Sequence, residues 1–241
     1  MQNKPTLFTS LSPALLDLYN LQDAVVVVID VFRATSTIAT ALYNGAARVI
    51  PVDTVDQCKA TGSQIEGCIT AGERDGKIIE GLQYGNSPAE YPKNFIEGKT
   101  LVLTTTNGTR LLHMALERGA ADVITGSFPN LSAVCEFLTR QNKNVILGCS
   151  GWKNRFNIED TLFAGAVVSK VKRNFIIHCD SSLMAENMYN LHKKDMPDFI
   201  QLTTHWHRLA AYGLQKDLQY CVTADVANVL PIFRNGDLVA G

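Results

Sequence analysis

Three features of the 241-residue sequence predict an α/β fold, a three-layer α/β/α arrangement around a mainly parallel or mixed sheet. Short apolar runs rich in β-branched residues alternate with segments of helical period. The runs end in polar residues that lead into a helix start. The whole pattern begins again 74 residues later. Alternation of this kind builds βαβ units with helices on both faces of the sheet.

The elements follow in order. Thr6–Ser10 is a short strand, and Pro13 opens a short helix to Tyr19. The run at 24–30, Ala-Val-Val-Val-Val-Ile-Asp, is a fully buried strand ending on a carboxylate. Thr35 or Ser36 caps the next helix, and Gly45 ends it. Arg48–Val52 is a strand, and Thr54-x-x-Gln57 forms a capping box for a helix to about Glu66. Cys68–Ala71 is a third strand, followed by the loop Gly72–Gly76. Ser87, Pro88 and Glu90 mark another helix start. The second round has strands at Lys99–Leu103, Asp122–Thr125 and Asn144–Gly148, with helices ending near Arg118 and Gln141. Asn157 caps a helix over Ile158–Lys172. Beyond it the chain reads as helical: Leu183–Leu191, Phe199–Tyr212 and Lys216–Val222. Phe175–Ile177 reads as either a strand or a buried turn, and Pro231–Phe233 as a final edge strand.

Laying Val26–Ile50 over Thr100–Ile124 makes nine of 25 positions identical, including Gly-Ala-Ala-x-Val-Ile. The chain therefore reads as one domain, 1–241, built from two similar βαβαβ halves (24–90 and 99–172) and a helical part, 173–241. Equivalent loops of the two halves are expected to converge on one site.

Composition narrows the function classes. A net charge of -1 argues against a nucleic-acid surface or a membrane patch. No apolar run approaches the roughly 18–20 residues of a membrane span. The six cysteines are scattered without a C-x-x-C pair, as expected of reduced thiols in a cytoplasmic protein. A homo-oligomer is left open.

The chemistry gathers in four loops, each with an arginine: Arg33, Arg74, Arg110 and Arg155. Four of the ten arginines just beyond strand ends suggest a pocket for a polyanion. The turn Thr104, Thr105, Thr106, Asn107, Gly108, Thr109, Arg110 combines hydroxyls, a glycine and a helix N-terminus, all suited to an anion. The same loops carry the carboxylates Asp30, Glu73, Glu159 and Asp160. Hard oxygen ligands beside a phosphate pocket suit Mg²⁺, and these four are the candidate ligands. Asp30 is the first candidate for ligand or nucleophile, with Glu73 and Asp160 as ligands or the base that activates water. Asn86 and Ser87 are candidates for the pocket lining, Ser87 equally for a capping role. The five histidines read as helix-face or surface residues. A rival chemistry is visible in Cys149 and Arg155, whose Cys-x5-Arg spacing is that of cysteine phosphatases.

Five ordered motifs then resemble the 2-phosphosulfolactate phosphatase family: Ile29–Thr37, Ala71–Arg74, Gly85–Pro88, Thr104–Arg110 and Arg155–Thr161 with Ala164-Gly165. Trp152, Lys153 and Asn154 depart from it, standing where the family's loop is usually small. The resemblance implies a Mg²⁺-dependent enzyme that converts 2-phospho-3-sulfolactate, a small polyanionic phosphomonoester, to 3-sulfolactate and phosphate. In methanogens that step lies on the route to coenzyme M. The reading from another class is a non-catalytic binding protein for a phosphorylated or sulfonated metabolite.

Overall fold

The alternation of strand and helix signals is realised as one continuous sheet with helices against both faces. The computed structural model describes residues 4–74, 77–105 and 107–241; of the loop residues named above, Asp75, Gly76 and Thr106 lie outside them. In the first round the strands are β1 (Thr6–Ser10), β2 (Val25–Ile29), β3 (Arg48–Val52) and β4 (Ile69–Arg74), with helices α1 (Ala34–Tyr43) and α2 (Val55–Gln64). The expected capping box forms at α2. Thr54 Oγ1 accepts the Gln57 N–H at 3.1 Å, and Gln57 Oε1 accepts the Thr54 N–H at 3.1 Å. β4 extends further than expected and pairs antiparallel with β5 (Lys77–Ile78), so Glu73 and Arg74 are strand residues.

The second round comprises α3 (Lys93–Ile96), β6 (Thr100–Thr104), α4 (Gly108–Glu117), β7 (Asp122–Gly126), α5 (Leu131–Thr139) and β8 (Val145–Cys149). It is followed by α6 (Ile158–Val171), β9 (Ile176–Ile177), α7 (Asp180–His192), α8 (Met196–Phe199), α9 (Thr204–Ala210) and α10 (Gln215–Cys221). The helix expected over Phe199–Tyr212 is divided: Thr203 is extended, and its hydroxyl accepts the Trp206 N–H to start α9. The chain closes with β10 (Pro231–Arg234) and β11 (Asp237–Ala240).

The strand order is β5-β4-β6-β3-β11-β10-β7-β2-β8-β1-β9. β4, β6 and β3 run parallel, as do β7, β2, β8, β1 and β9. In terms of the 74-residue shift, the middle strand of each parallel set comes from the other round: β6 lies between β4 and β3, and β2 between β8 and β7. Although β2 and β6 stand apart in the sheet, Gly108 at the start of α4 lies against Asp30 at the end of β2, so the β2–α1 and β6–α4 loops meet. The two sets are joined by the antiparallel hairpin β10–β11, which meets β7 at Ile232↔Ile124 and β3 at Leu238↔Val49. Pro231–Phe233 is therefore central, not an edge. Asn235 and Gly236, both at positive φ, make the tight turn that this hairpin needs.

β2 shows how the layers form. Val25, Val27 and Ile29 pack into one core with α5, α6, α9 and α10, through Val134, Phe163, Trp206 and Leu218 among others. Val26 and Val28 pack into a second core with α1 and α4, through Ile38, Leu42, Leu111 and Ala115. A strand buried on both faces has no polar alternation, as its valine run foretells.

Candidate functional site

Asp30 is the first polar residue after the β2 run, and the chain turns immediately beyond it. Thr35 Oγ1 accepts the Asp30 N–H at 3.1 Å, and the Asp30 carbonyl accepts the Thr35 N–H at 3.0 Å. The turn is thus fastened by the threonine, and the Asp30 carboxylate faces a cleft of about 380 Å³. The first turn of α4 closes on it. A Cβ at Gly108 would lie 3.2 Å from Asp30 Oδ2, close enough to push the carboxylate by a few tenths of an ångström. Burial pushes the Asp30 carboxyl up to about 6, with Glu159 and Glu73 adding to the effect and His205 opposing it.

Arg33 is buried and held from two sides. Its Nη1 donates to Asp217 at 2.8 Å and its Nη2 to Glu73 at 3.3 Å. Two carboxylates on different elements fix the planar guanidinium in the cleft wall. Glu159, at the start of α6, is fully buried and pairs through Oε1 with His205 Nδ1. The other oxygen, Oε2, has no hydrogen-bond partner among the described residues. Asp160 turns elsewhere. Its Oδ1 accepts the Val31 N–H at 2.9 Å and its Oδ2 the Gly151 N–H at 3.0 Å. It ties the loop after β2 to the loop after β8, while burial and the neighbouring Glu159 and Asp30 raise its carboxyl well above the usual range.

The sequence candidates therefore divide. Asp30, Arg33, Glu73, Arg74, Asn86, Thr105 and Asn107 line the cleft. Thr104 is buried at the end of β6, and the Thr109 hydroxyl is spent on Thr105 at 3.0 Å. The Ser87 N–H goes to Glu90 at 3.1 Å, a capping role. Arg110 and Arg155 leave the predicted polyanion pocket. Arg110 is exposed and donates to Asn154 at 3.0 Å, and Arg155 points into a neighbouring surface recess beyond Trp152. Two helix-borne residues that sequence reasoning passed over take their place, His205 and Arg208. His205 is no surface residue: Phe32 packs against its ring edge-on at 5.8 Å. Trp152 and Lys153 complete that wall. The spacing of His205 and Arg208 on one helix face was the local signal available, and nothing in it pointed to a strand end about 175 residues earlier.

The sequence profile of the 2-phosphosulpholactate phosphatase family matches residues 10–236. A protein of Thermotoga petrophila named probable 2-phosphosulfolactate phosphatase is 42% identical over 210 residues, 87% of this chain and 89% of its own. A Caldanaerobacter subterraneus protein of the same name is 36% identical over 220 residues, 90% of each chain. The chain belongs to this family. Its members carry the name of a phosphoric monoester hydrolase, so the chain is an enzyme of that class.

That membership bears on the two chemistries read from the sequence. Cys149 is fully buried in β8, and burial together with Asp160 raises its thiol well above the usual value. A thiol held protonated inside the sheet, away from the cleft, is a poor nucleophile. The Cys149–Arg155 reading fails on both members. For a metal, the cleft offers hard oxygen donors in Asp30 and Glu73, with the unpartnered Glu159 Oε2 behind them. Among the described residues no three His, Cys, Asp or Glu side chains are grouped as ligands. A donor set of one or two carboxylates suits Mg²⁺, which keeps much of its water. No described helix is long and apolar enough to cross a membrane.

Proposed function

We propose that this chain is a Mg²⁺-dependent phosphatase that hydrolyses 2-phospho-3-sulfolactate to 3-sulfolactate and phosphate. The observation that carries the reading is the pairing, in one cleft, of the Asp30 carboxylate with an Arg33 guanidinium braced by Glu73 and Asp217. Asp30, Glu73 and Glu159 are the residues that would hold the metal; Asp160 is withdrawn from that set because two backbone amides occupy its oxygens. Bound Mg²⁺ supplies Lewis-acid polarisation of the phosphoryl oxygens and lowers the pKa of a bound water.

The chain's own groups have separable tasks. Arg33 orients the phosphoryl group, since guanidinium matches phosphate geometry and its bracing leaves it little freedom. His205, with Nδ1 turned to Glu159, keeps Nε2 for proton transfer at the ester or water oxygen. The amides at the start of α4, beside Asp30, favour negative charge that develops there. The family name and the cleft's cations support the substrate, which bears phosphate, sulfonate and carboxylate.

The test is phosphate release from 2-phosphosulfolactate with Mg²⁺ and with EDTA, alongside a panel of other phosphomonoesters. Metal-dependent release selective for phosphosulfolactate is expected. Equal release in EDTA would remove the metal from the reading, and selectivity for another ester would remove the substrate.

A further inference from the structure

Besides Arg33 and Arg74, the cleft that holds Asp30 and Glu73 is lined by Lys153 and Arg208. These two cations share one indole. Lys153 Nζ lies 4.6 Å and the Arg208 guanidinium 4.4 Å from the centre of the Trp152 ring. Among the described residues neither is paired with a carboxylate, in contrast to Arg33. Two like charges gathered on one ring without a counter-ion form a site of unspent positive potential.

The support beneath them is stiff. Trp152 and Arg155 exchange backbone hydrogen bonds, Trp152 N–H to Arg155 O at 3.0 Å and Arg155 N–H to Trp152 O at 2.9 Å. Lys153 and Asn154 between them both have positive φ, the tight turn of a two-residue hairpin. Asn154 Oδ1 accepts from Arg110 Nη1 at 3.0 Å, fastening the turn to α4. Gly151 precedes it in a place where a Cβ would meet the Arg155 carbonyl oxygen at 2.1 Å. Arg208 comes from α9, whose Trp206 and Leu209 are anchored in the core.

We infer that Lys153 and Arg208, positioned by the Trp152 indole, bind the non-reacting anionic group of the substrate, a sulfonate or carboxylate, and so set selectivity for esters that carry a second anion. The substrate's identity here rests on the phosphatase reading above. Arg33, Lys153 and Arg208 line one cleft, so a small molecule whose phosphoryl group is held by Arg33 meets the other two with its second anion. Arg208 and Lys153 touch the bound anion; Trp152 is a positioning residue.

Two readouts test this. Trp152 is one of only two tryptophans, and the other, Trp206, is buried. Titration with 3-sulfolactate, which has no phosphate, should change Trp152 emission saturably. Trp152→Phe should abolish the change, and Arg208→Gln should raise the half-saturation point about 10- to 100-fold, the loss of a charged hydrogen bond. In kinetics, Arg208→Gln and Lys153→Gln should lower the preference for 2-phosphosulfolactate over p-nitrophenyl phosphate, through KM more than kcat. Arg208→Lys should restore part of it. An unchanged preference in both Gln variants overturns the inference, as does an equal rise in KM for both esters. If the wild type hydrolyses neither ester, the phosphatase reading falls, and the emission titration alone decides: saturable binding weakened by Arg208→Gln supports the wall, and no binding overturns it.

Discussion

Replacing Asp30 by Asn should stabilise the metal-free protein, and the gain should grow with pH. The amide keeps the side chain's shape and discards its charge. Burial raises the carboxyl from its usual 3.8 to about 6. Below pH 3.8 the carboxyl is protonated in both folded and unfolded chains, so Asp and Asn are close to equivalent. As pH rises toward 6 the unfolded chain releases this proton before the folded one. Wild-type stability therefore declines through that window and stays lower above it. At about 1.4 kcal/mol for each tenfold, the gap is about 1 kcal/mol at pH 4.5 and about 3 kcal/mol at pH 8. For a chain of this length that is a Tm difference of about 2–4 °C at pH 4.5 and about 6–12 °C at pH 8. Thermal melts of both proteins in EDTA across this range would measure it. A pH-independent gap, or an Asn variant less stable at pH 8, would refute the picture of a buried, desolvated carboxylate. The same variant should lose phosphatase turnover.

Other perturbations test the surroundings. Arg33→Met leaves Asp217 and Glu73 without their cation, and urea unfolding should show a loss of about 3 kcal/mol; adding Asp217→Asn should return part of it. Cys149→Ser should retain most phosphate release, because the buried thiol does not reach the cleft. At pH 8 iodoacetamide should label Cys179 before Cys149 in the folded protein. Burial of Cys179 is outweighed by hydrogen bonds from Ser181 and its neighbours, which bring its thiol down to about 7; peptide mapping would read the order. Gly165→Ala should lower stability by about 1–3 kcal/mol, since a Cβ there would sit 2.0 Å from the Ala185 carbonyl oxygen where α6 packs on α7.

Much of this molecule was legible in its residue order. The valine run announced β2 because a strand covered on both faces needs no polar alternation. The capping box at Thr54 and Gln57 formed as written, because both partners lie within one turn. That Asp30, Arg33 and Glu73 stand at strand ends was readable for the same reason, and all three line one cleft. What depended on distance was not readable. Arg33 meets Asp217 across 184 positions, and His205 meets Glu159 across 46. No short-range pattern marks such partners. Arg110 and Arg155 show the converse. Arg110, in the first turn of α4, donates to Asn154, and Arg155, in the loop after β8, lines a separate recess with Trp152.

The elements, their alternation and the carboxylate at the end of β2 were written in the residue order, since these follow from propensity, periodicity and capping over a few residues. The tertiary structure decided the rest. It interleaved the strands of the two rounds and set the C-terminal hairpin between them. It also chose which cations face Asp30, because those outcomes are fixed by packing between segments far apart in the chain.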